Sequence, residues 1–296
     1  MTRLRRTAAL AGALTLASAL QAHAAVDAKL APDQVTITDD GKTVLVYRAR
    51  TQDPAQPGRA NYVHPLYAPD GTLLTEDRGA DFPEQRGAFW AWRQVRLNGQ
   101  LVADGWGMSG LTYFVKETRF QGQLDGSGVL TLDTDWIVST GGELTYVARE
   151  TTAVTVYPLN KGARRIAFDT TITPRVDGLS LGGSEDSKGY GGFALRLVRP
   201  DKLTFAAQGK IVAPAQDQIA GGPAMGFSWA NEAGLPAWAM GMACKAQGTP
   251  ITQWILRNTP SMQNCAFPGR APFNLTKDTP LHLETTLVIQ PRSPVK

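Results

Sequence analysis

Three side chains stand where acid–base chemistry could be built: His64, Glu84 and Glu150. His64 precedes Pro65, which holds its backbone extended, and a neutral imidazole there could move a proton near pH 7. The plainer alternative is a histidine satisfied by backbone groups in a packed loop. Glu84 and Arg86 flank Gln85 immediately before Phe89-Trp90-Ala91-Trp92. A carboxylate and a guanidinium together could bind hydroxyls or hold a base in place, or could form a simple surface ion pair. Glu150 falls in the alternating run Leu144, Tyr146, Ala148, Glu150, Thr152, Val154, Val156. That puts a carboxylate on an apolar face, where it needs a partner (an arginine is the structural option) or a raised pKa. Alternation also sets Trp90 and Trp92 in line with Gln94 and Arg96, opposite Phe89, Ala91, Val95 and Leu97. A row of indoles, amide and guanidinium suits a sugar, whose C–H face stacks on an aromatic while its hydroxyls take hydrogen bonds. The alternative is a Trp pair packed under a second layer. Lys188 and Tyr190 lie in a Gly-rich loop that either closes over a ligand or only makes a tight bend.

These pieces predict one concave pocket walled by Trp90 and Trp92, containing Arg86 with at least one of His64, Glu84 and Glu150. Other motif matches fail on context. Gly105–Gly110 fits G-x-G-x-x-G, but β-type residues rather than a helix follow it. Gly178-Leu179-Ser180-Leu181-Gly182 fits G-x-S-x-G, but a loop follows where a nucleophile elbow needs a helix. Only His64 and His282 lie beyond residue 24, so a multi-histidine zinc site is not available and no metal or cofactor is assigned. Carboxylates at Asp39-Asp40 and Glu185-Asp186 could hold Ca²⁺, but read more simply as solvated turns.

The elements that position these residues read as strands. Runs of period two recur between turn signals: Gln34–Asp39 and Thr43–Ala49 around Asp40-Gly41, then Phe89–Leu97 before Asn98-Gly99. A meander of long strands follows, over 111–120, 129–138, 143–157 and 163–173. Further strands are expected at 190–198, 202–207, 237–244, 251–256 and 281–289. In 163–173, Ile166, Phe168 and Ile172 share one face. No long helix, heptad or repeat is present. The expected fold is all-β, a large antiparallel sandwich or supersandwich forming a single domain over 25–296.

Residues 1–24 read as an export signal, with Arg3, Arg5 and Arg6, an apolar run from Ala8 to Leu20, and a small-residue cleavage site at Ala22-His23-Ala24. A periplasmic or secreted location follows, and no later stretch has the length of a transmembrane helix. The signal supplies three of the charges behind the net +4, so the basic balance does not indicate nucleic-acid binding. In an oxidising compartment the two cysteines, Cys244 and Cys265, are expected to form a disulfide contributing about 3 kcal/mol.

One block carries a resemblance. Tyr62-Val63-His64-Pro65-Leu66-Tyr67, Asp70-Gly71, Asp81-Phe82-Pro83, Arg86-Gly87, Phe89-Trp90-Ala91-Trp92 and Asp104-Gly105-Trp106 resemble a bacterial family of unknown function labelled PmoA-like or "methane oxygenase". Lys188–Phe193, Pro268-Gly269 and Pro272-Phe273 continue the likeness. A membrane methane monooxygenase subunit needs transmembrane helices. The resemblance instead implies a secreted sandwich of the galactose-mutarotase-like kind, linked to carbohydrate. Members commonly carry His-His where this chain has Glu84-Gln85, and a further His where it has Arg93, which joins the substrate-binding candidates. Three readings result. The first is an exported carbohydrate-active enzyme (epimerase, lyase or hydrolase) with Glu84 or Glu150 as base and His64 as acid. The second is a non-catalytic sugar-binding protein, and the third an envelope interaction protein. Clustering of His64, Glu84 and Glu150 favours the first; scattering favours the others.

Overall fold

Left-handed turns set the strand register. Asp40 and Gly41 have φ of 51° and 70°, and Asn98 and Gly99 have 49° and 81°. Paired positive φ values match the right-handed twist of the flanking strands and close two-residue hairpins. The structure, a computed structural model, describes residues 26–198, 201–230, 236–259 and 261–291. The predicted export signal lies outside the described residues.

The described residues form strands and no helix. One nine-stranded antiparallel sheet runs in the order Val26–Leu30, Gln34–Asp39, Lys42–Arg48, Tyr62–Leu66, Ala88–Trp92, Gly191–Arg196, Met262–Ala266, Gln253–Ile255, Ile219–Ala220. A ten-stranded sheet begins with the meander Leu111–Gly122, Gly128–Thr140, Glu143–Val156 and Arg164–Pro174. It continues through Leu281–Pro291, Pro236–Ala246, Ala224–Ala230, Asp201–Ala207 and Lys210–Val212. The two sheets pack face to face. Trp92 of the first meets Trp136 of the second at 5.9 Å, and Phe193 meets Phe168 at 5.3 Å. Ile166, Phe168 and Ile172 point into this core as the alternation predicts. The fold is therefore an all-β antiparallel sandwich. No helix among the described residues is long and apolar enough to cross a membrane.

Two smaller units complete the fold, and the first adds Val95, Leu179 and Leu181 to the main core. A four-stranded sheet is built from Phe273–Asn274, Leu179–Gly182, Gln94–Leu97 and Gln100–Ala103. A hairpin joins Asp77–Gly79 to Phe82–Arg86.

Three expectations need correction. Trp90 and Trp92 lie in the sandwich interior, not on an accessible face, and stack on each other at 6.0 Å. The run 89–97 is also two strands in different sheets rather than one, because the chain bends at Arg93. Cys244 and Cys265 are free buried thiols, not a disulfide. They face each other across the sandwich, Cys244 from strand Pro236–Ala246 and Cys265 from strand Met262–Ala266, near enough to interact but not bonded. Burial, and then contact with Cys244, pushes the Cys265 thiol pKa up.

Candidate functional site

The outer face of the Trp strand is where a site can form. Phe89 and Ala91 project from it and join Tyr62, Ala194 and Met262 in a second apolar cluster, roofed by Trp106 with Tyr190 packed against it. Trp106 meets Phe89 edge-on at 5.4 Å and Tyr190 at 5.3 Å. Above this floor opens a cleft of about 680 Å³, within the range of small-molecule sites.

Each wall has its own element. The 77–86 hairpin contributes Phe82, Glu84 and Gln85; the small sheet and its loop contribute Arg93, Gln94, Leu101 and Asp104. The Gly-rich loop supplies Ser184, Glu185, Asp186, Lys188 and Tyr190, and the far rim holds Gln216, Arg257 and Thr259. Phe82 and Leu101 are 39% and 57% exposed, so apolar surface faces the opening.

Buried arginines brace the walls. Arg86 is 1% exposed. It donates to the carbonyls of Glu84, Trp106 and Gly105 at 3.3, 3.3 and 3.1 Å, and its guanidinium carbon lies 4.1 Å from the Phe89 ring centroid. It ties the hairpin to the floor beneath the cleft and does not line it, a correction to its expected role in binding. Arg196 reaches the hairpin from the main sheet, donating to Glu76 at 2.7 Å, Gln85 at 2.6 Å and Asp81 at 3.1 Å. Gln94 donates to the Gly183 and Arg270 carbonyls, joining small sheet to loop.

Most charges in the cleft are matched. Arg93 donates to Asp104 at 2.7 Å, and Asp104 also accepts from the Gly107 N–H at 2.7 Å. Asp186 accepts from Ser184 Oγ at 2.6 Å and from the N–H groups of Lys188 and Gly189 at 3.1 and 3.3 Å. These bonds outweigh the effect of its burial and hold its pKa below the ordinary carboxylate value. The Glu84 carboxylate, half-buried in the wall, has no hydrogen-bond or ion-pair partner among the described residues.

The structure separates the three acid–base candidates. Glu84 lines the cleft. Glu150 is buried between the sheets and accepts from Asn61 Nδ2 at 2.9 and 3.0 Å, Trp136 Nε1 at 2.8 Å and Thr152 Oγ1 at 2.8 Å. Burial raises its pKa against the opposing effect of these donors. It has the partners that the alternation demanded, none of them an arginine, and no route to a ligand in the cleft. His64 is half-buried outside the cleft, with Nδ1 3.1 Å from Thr75 Oγ1 and its carbonyl accepting from Arg48 Nε at 2.9 Å. Burial lowers its pKa, with Arg48 acting in the same direction and Asp77 and Glu76 opposing. Of the expected binding residues, Arg93, Lys188 and Tyr190 line the cleft, whereas Arg86, Trp90 and Trp92 do not. Ser180 of the rejected G-x-S-x-G match is buried within strand Leu179–Gly182, and His282 pairs with Asp169 at 3.0 Å far along the chain. Among the described residues no group of three or more His, Cys, Asp or Glu is placed to hold a metal ion.

Phe82, Leu101, Asp104, Trp106 and Arg257 are cleft residues that sequence reasoning did not single out as site residues. Phe82, Asp104 and Trp106 stand inside the block that carries the family resemblance. Arg257 has no local signal, since it reaches the cleft only through sheet topology.

A profile described as a family of unknown function (DUF6807) matches residues 34–294. The chain belongs to this family. No curated protein matches it. Among solved structures, the GH36 alpha-galactosidase AgaA from Geobacillus stearothermophilus, crystallised with raffinose, is similar over 90% of this chain at 13% identity and a TM-score of 0.32. The present chain spans 41% of that one. The matched region of the DUF6807 family contains the whole cleft. Glu84, Gln85 and Arg93 all line it.

Proposed function

We propose that this protein is exported and binds a carbohydrate in the cleft above Trp106 and Tyr190. One observation carries the reading: an open concave site combines half-exposed aromatic and aliphatic surface (Tyr190, Phe82, Leu101) with interleaved donors and acceptors (Glu84, Arg93, Asp104, Lys188). A sugar ring offers an apolar C–H face and a rim of hydroxyls, and this pairing matches both. The scattering of His64, Glu84 and Glu150 favours binding over a three-residue acid–base mechanism. Calorimetry and thermal-shift screening against mono- and oligosaccharides test the proposal, because a ligand selective for the native state raises the apparent Tm. Tyr190→Ala should weaken binding about fivefold, the value of one aromatic contact at ~1 kcal/mol. A screen in which no saccharide binds would refute it.

A catalytic reading rests on Glu84 alone, as the unpartnered carboxylate of the cleft. Such a group can accept a proton from a sugar hydroxyl or carbon acid during epimerisation, elimination or hydrolysis. If it does, Glu84→Gln keeps affinity and loses turnover. If both survive, Glu84 is not the catalytic base; a wild type that binds saccharides without turning any over is a binding member of its family.

A further inference from the structure

We propose, resting on the carbohydrate reading above, that the sugar bound in the cleft is acidic and that Arg257 receives its carboxylate. The argument is one of charge matching. Arg93 is neutralised by Asp104 at 2.7 Å, and Glu185 by Arg96 at 2.5 Å. The Lys188 ammonium lies 3.7 Å from Asp186. Arg257 is different. It donates through Nη1 to the carbonyls of Ala215 and Leu256 at 2.7 and 2.8 Å, and through Nη2 to that of Gln216 at 2.7 Å. Carbonyl oxygens fix the guanidinium but supply no formal negative charge, and Arg257 has no carboxylate partner among the described residues.

Its donor inventory points the same way. A guanidinium carries five N–H groups, and three are engaged. Nε–H and one Nη2 N–H are left without an acceptor. Those two nitrogens share one edge of the plane, and such an edge holds a carboxylate in a bidentate fork. The residue is also fixed in place from behind. Its N–H donates to Gln263 Oε1 at 3.1 Å, its carbonyl accepts from Gln263 Nε2 at 2.8 Å, and Gln263 is fully buried.

Arg257 sits beside the aromatic surface, with its guanidinium carbon 5.7 Å from the Tyr190 ring centroid. A pyranose resting on Tyr190 can thus direct a ring carboxylate to the free edge of Arg257. A uronic acid residue is the ligand class with that shape and charge. The same group would neutralise the cleft cation that has no carboxylate partner among the described residues.

The test compares uronate oligosaccharides, neutral oligosaccharides of the same linkage and length, and methyl-esterified uronates, by calorimetry on the full mature chain. The expected result is binding of the uronates, with affinity about tenfold lower for the neutral and esterified counterparts, as loss of a charge-assisted hydrogen-bonded pair implies. Arg257→Gln should lower uronate affinity by a similar factor and leave neutral sugars unaffected, and Arg257→Lys should recover part of it. The esterified ligands need no variant, so the comparison stands even if Arg257→Gln folds poorly. Equal binding of acidic, esterified and neutral sugars would overturn the acidic-ligand proposal and leave the carbohydrate reading intact. Binding of none of them would end both.

Discussion

Replacing Glu150 tests whether the buried carboxylate is a structural acid with a raised pKa. Its side chain is 3% exposed and accepts from Asn61, Trp136 and Thr152. Glu150→Ala orphans the Asn61 Nδ2 and Trp136 Nε1 donors, while Thr152 can still pair with Thr170 at 3.0 Å. Two buried donors left unsatisfied cost about 2–6 kcal/mol together, comparable to much of a domain's total stability of roughly 5–15 kcal/mol. Glu150→Gln isolates the charge. Because burial raises the folded pKa, the native state holds the proton more tightly than the unfolded chain, whose value is about 4.3. Both forms are protonated at pH below that value, and wild-type stability is then undiminished. As the pH climbs above it the unfolded state ionises first, so stability falls by up to about 1.4 kcal/mol per pH unit until the folded pKa is reached. Gln does not titrate. The wild type's advantage over Glu150→Gln should therefore shrink, or reverse, between acid pH and neutrality. Urea unfolding followed by fluorescence of the seven tryptophans at several pH values reads this directly. Parallel stability curves for the two proteins would show that burial does not control this group.

Three further outcomes follow from the packing. Gly87→Ala should abolish folding or cost more than about 4 kcal/mol, because an added Cβ would lie 1.8 Å from the Val63 carbonyl oxygen. The control Gly241→Ala, with nothing within 4 Å, should change the urea midpoint little. Arg196→Met should lower stability by about 2 kcal/mol and make the 77–86 hairpin the first segment of the cleft to exchange amide hydrogens, since Arg196 joins it through Glu76, Gln85 and Asp81. Thiol reagents should label neither Cys244 nor Cys265 in the native protein and both after denaturation, without reductant; a requirement for reductant would mean that a disulfide forms after all.

Local chemistry made the sheets legible. Asp40-Gly41 and Asn98-Gly99 announce two-residue hairpins because their φ values are positive. The meander from Leu111 to Pro174 is legible because each strand alternates over most of its length between the core and the outside, broken by register shifts at Val115/Glu117 and Trp136/Ile137, the end of the sheet where Leu144 and Tyr146 are exposed rather than on the buried face with Glu150. Glu150 could be placed on the buried face for the same reason. Strand Met262–Ala266 was not visible, since all five of its residues are buried and it has no alternation to read.

The cleft was only half legible, and strand Ala88–Trp92 shows why. Period two separates Trp90 and Trp92 from Phe89 and Ala91, but it does not say which pair faces the sandwich core when a second layer covers the other side. Both faces of this strand are buried, so apolar content could not decide, and the larger indoles went to the larger core. Glu84 and Arg93 were found because they flank that strand in sequence, and flanking residues stay near it whichever face it buries. Arg257 lies more than 150 residues further along and arrives through the pairing of Gly191–Arg196 with Met262–Ala266 and of the latter with Gln253–Ile255. A guanidinium delivered to the cleft by these two strand pairings leaves no trace in local spacing. Its free edge can be recognised only once the carbonyls of Ala215, Leu256 and Gln216 are seen to occupy the other one, and for that reason the charge of the ligand is a structural inference here where the aromatic and hydroxyl character of the site was partly a sequence one.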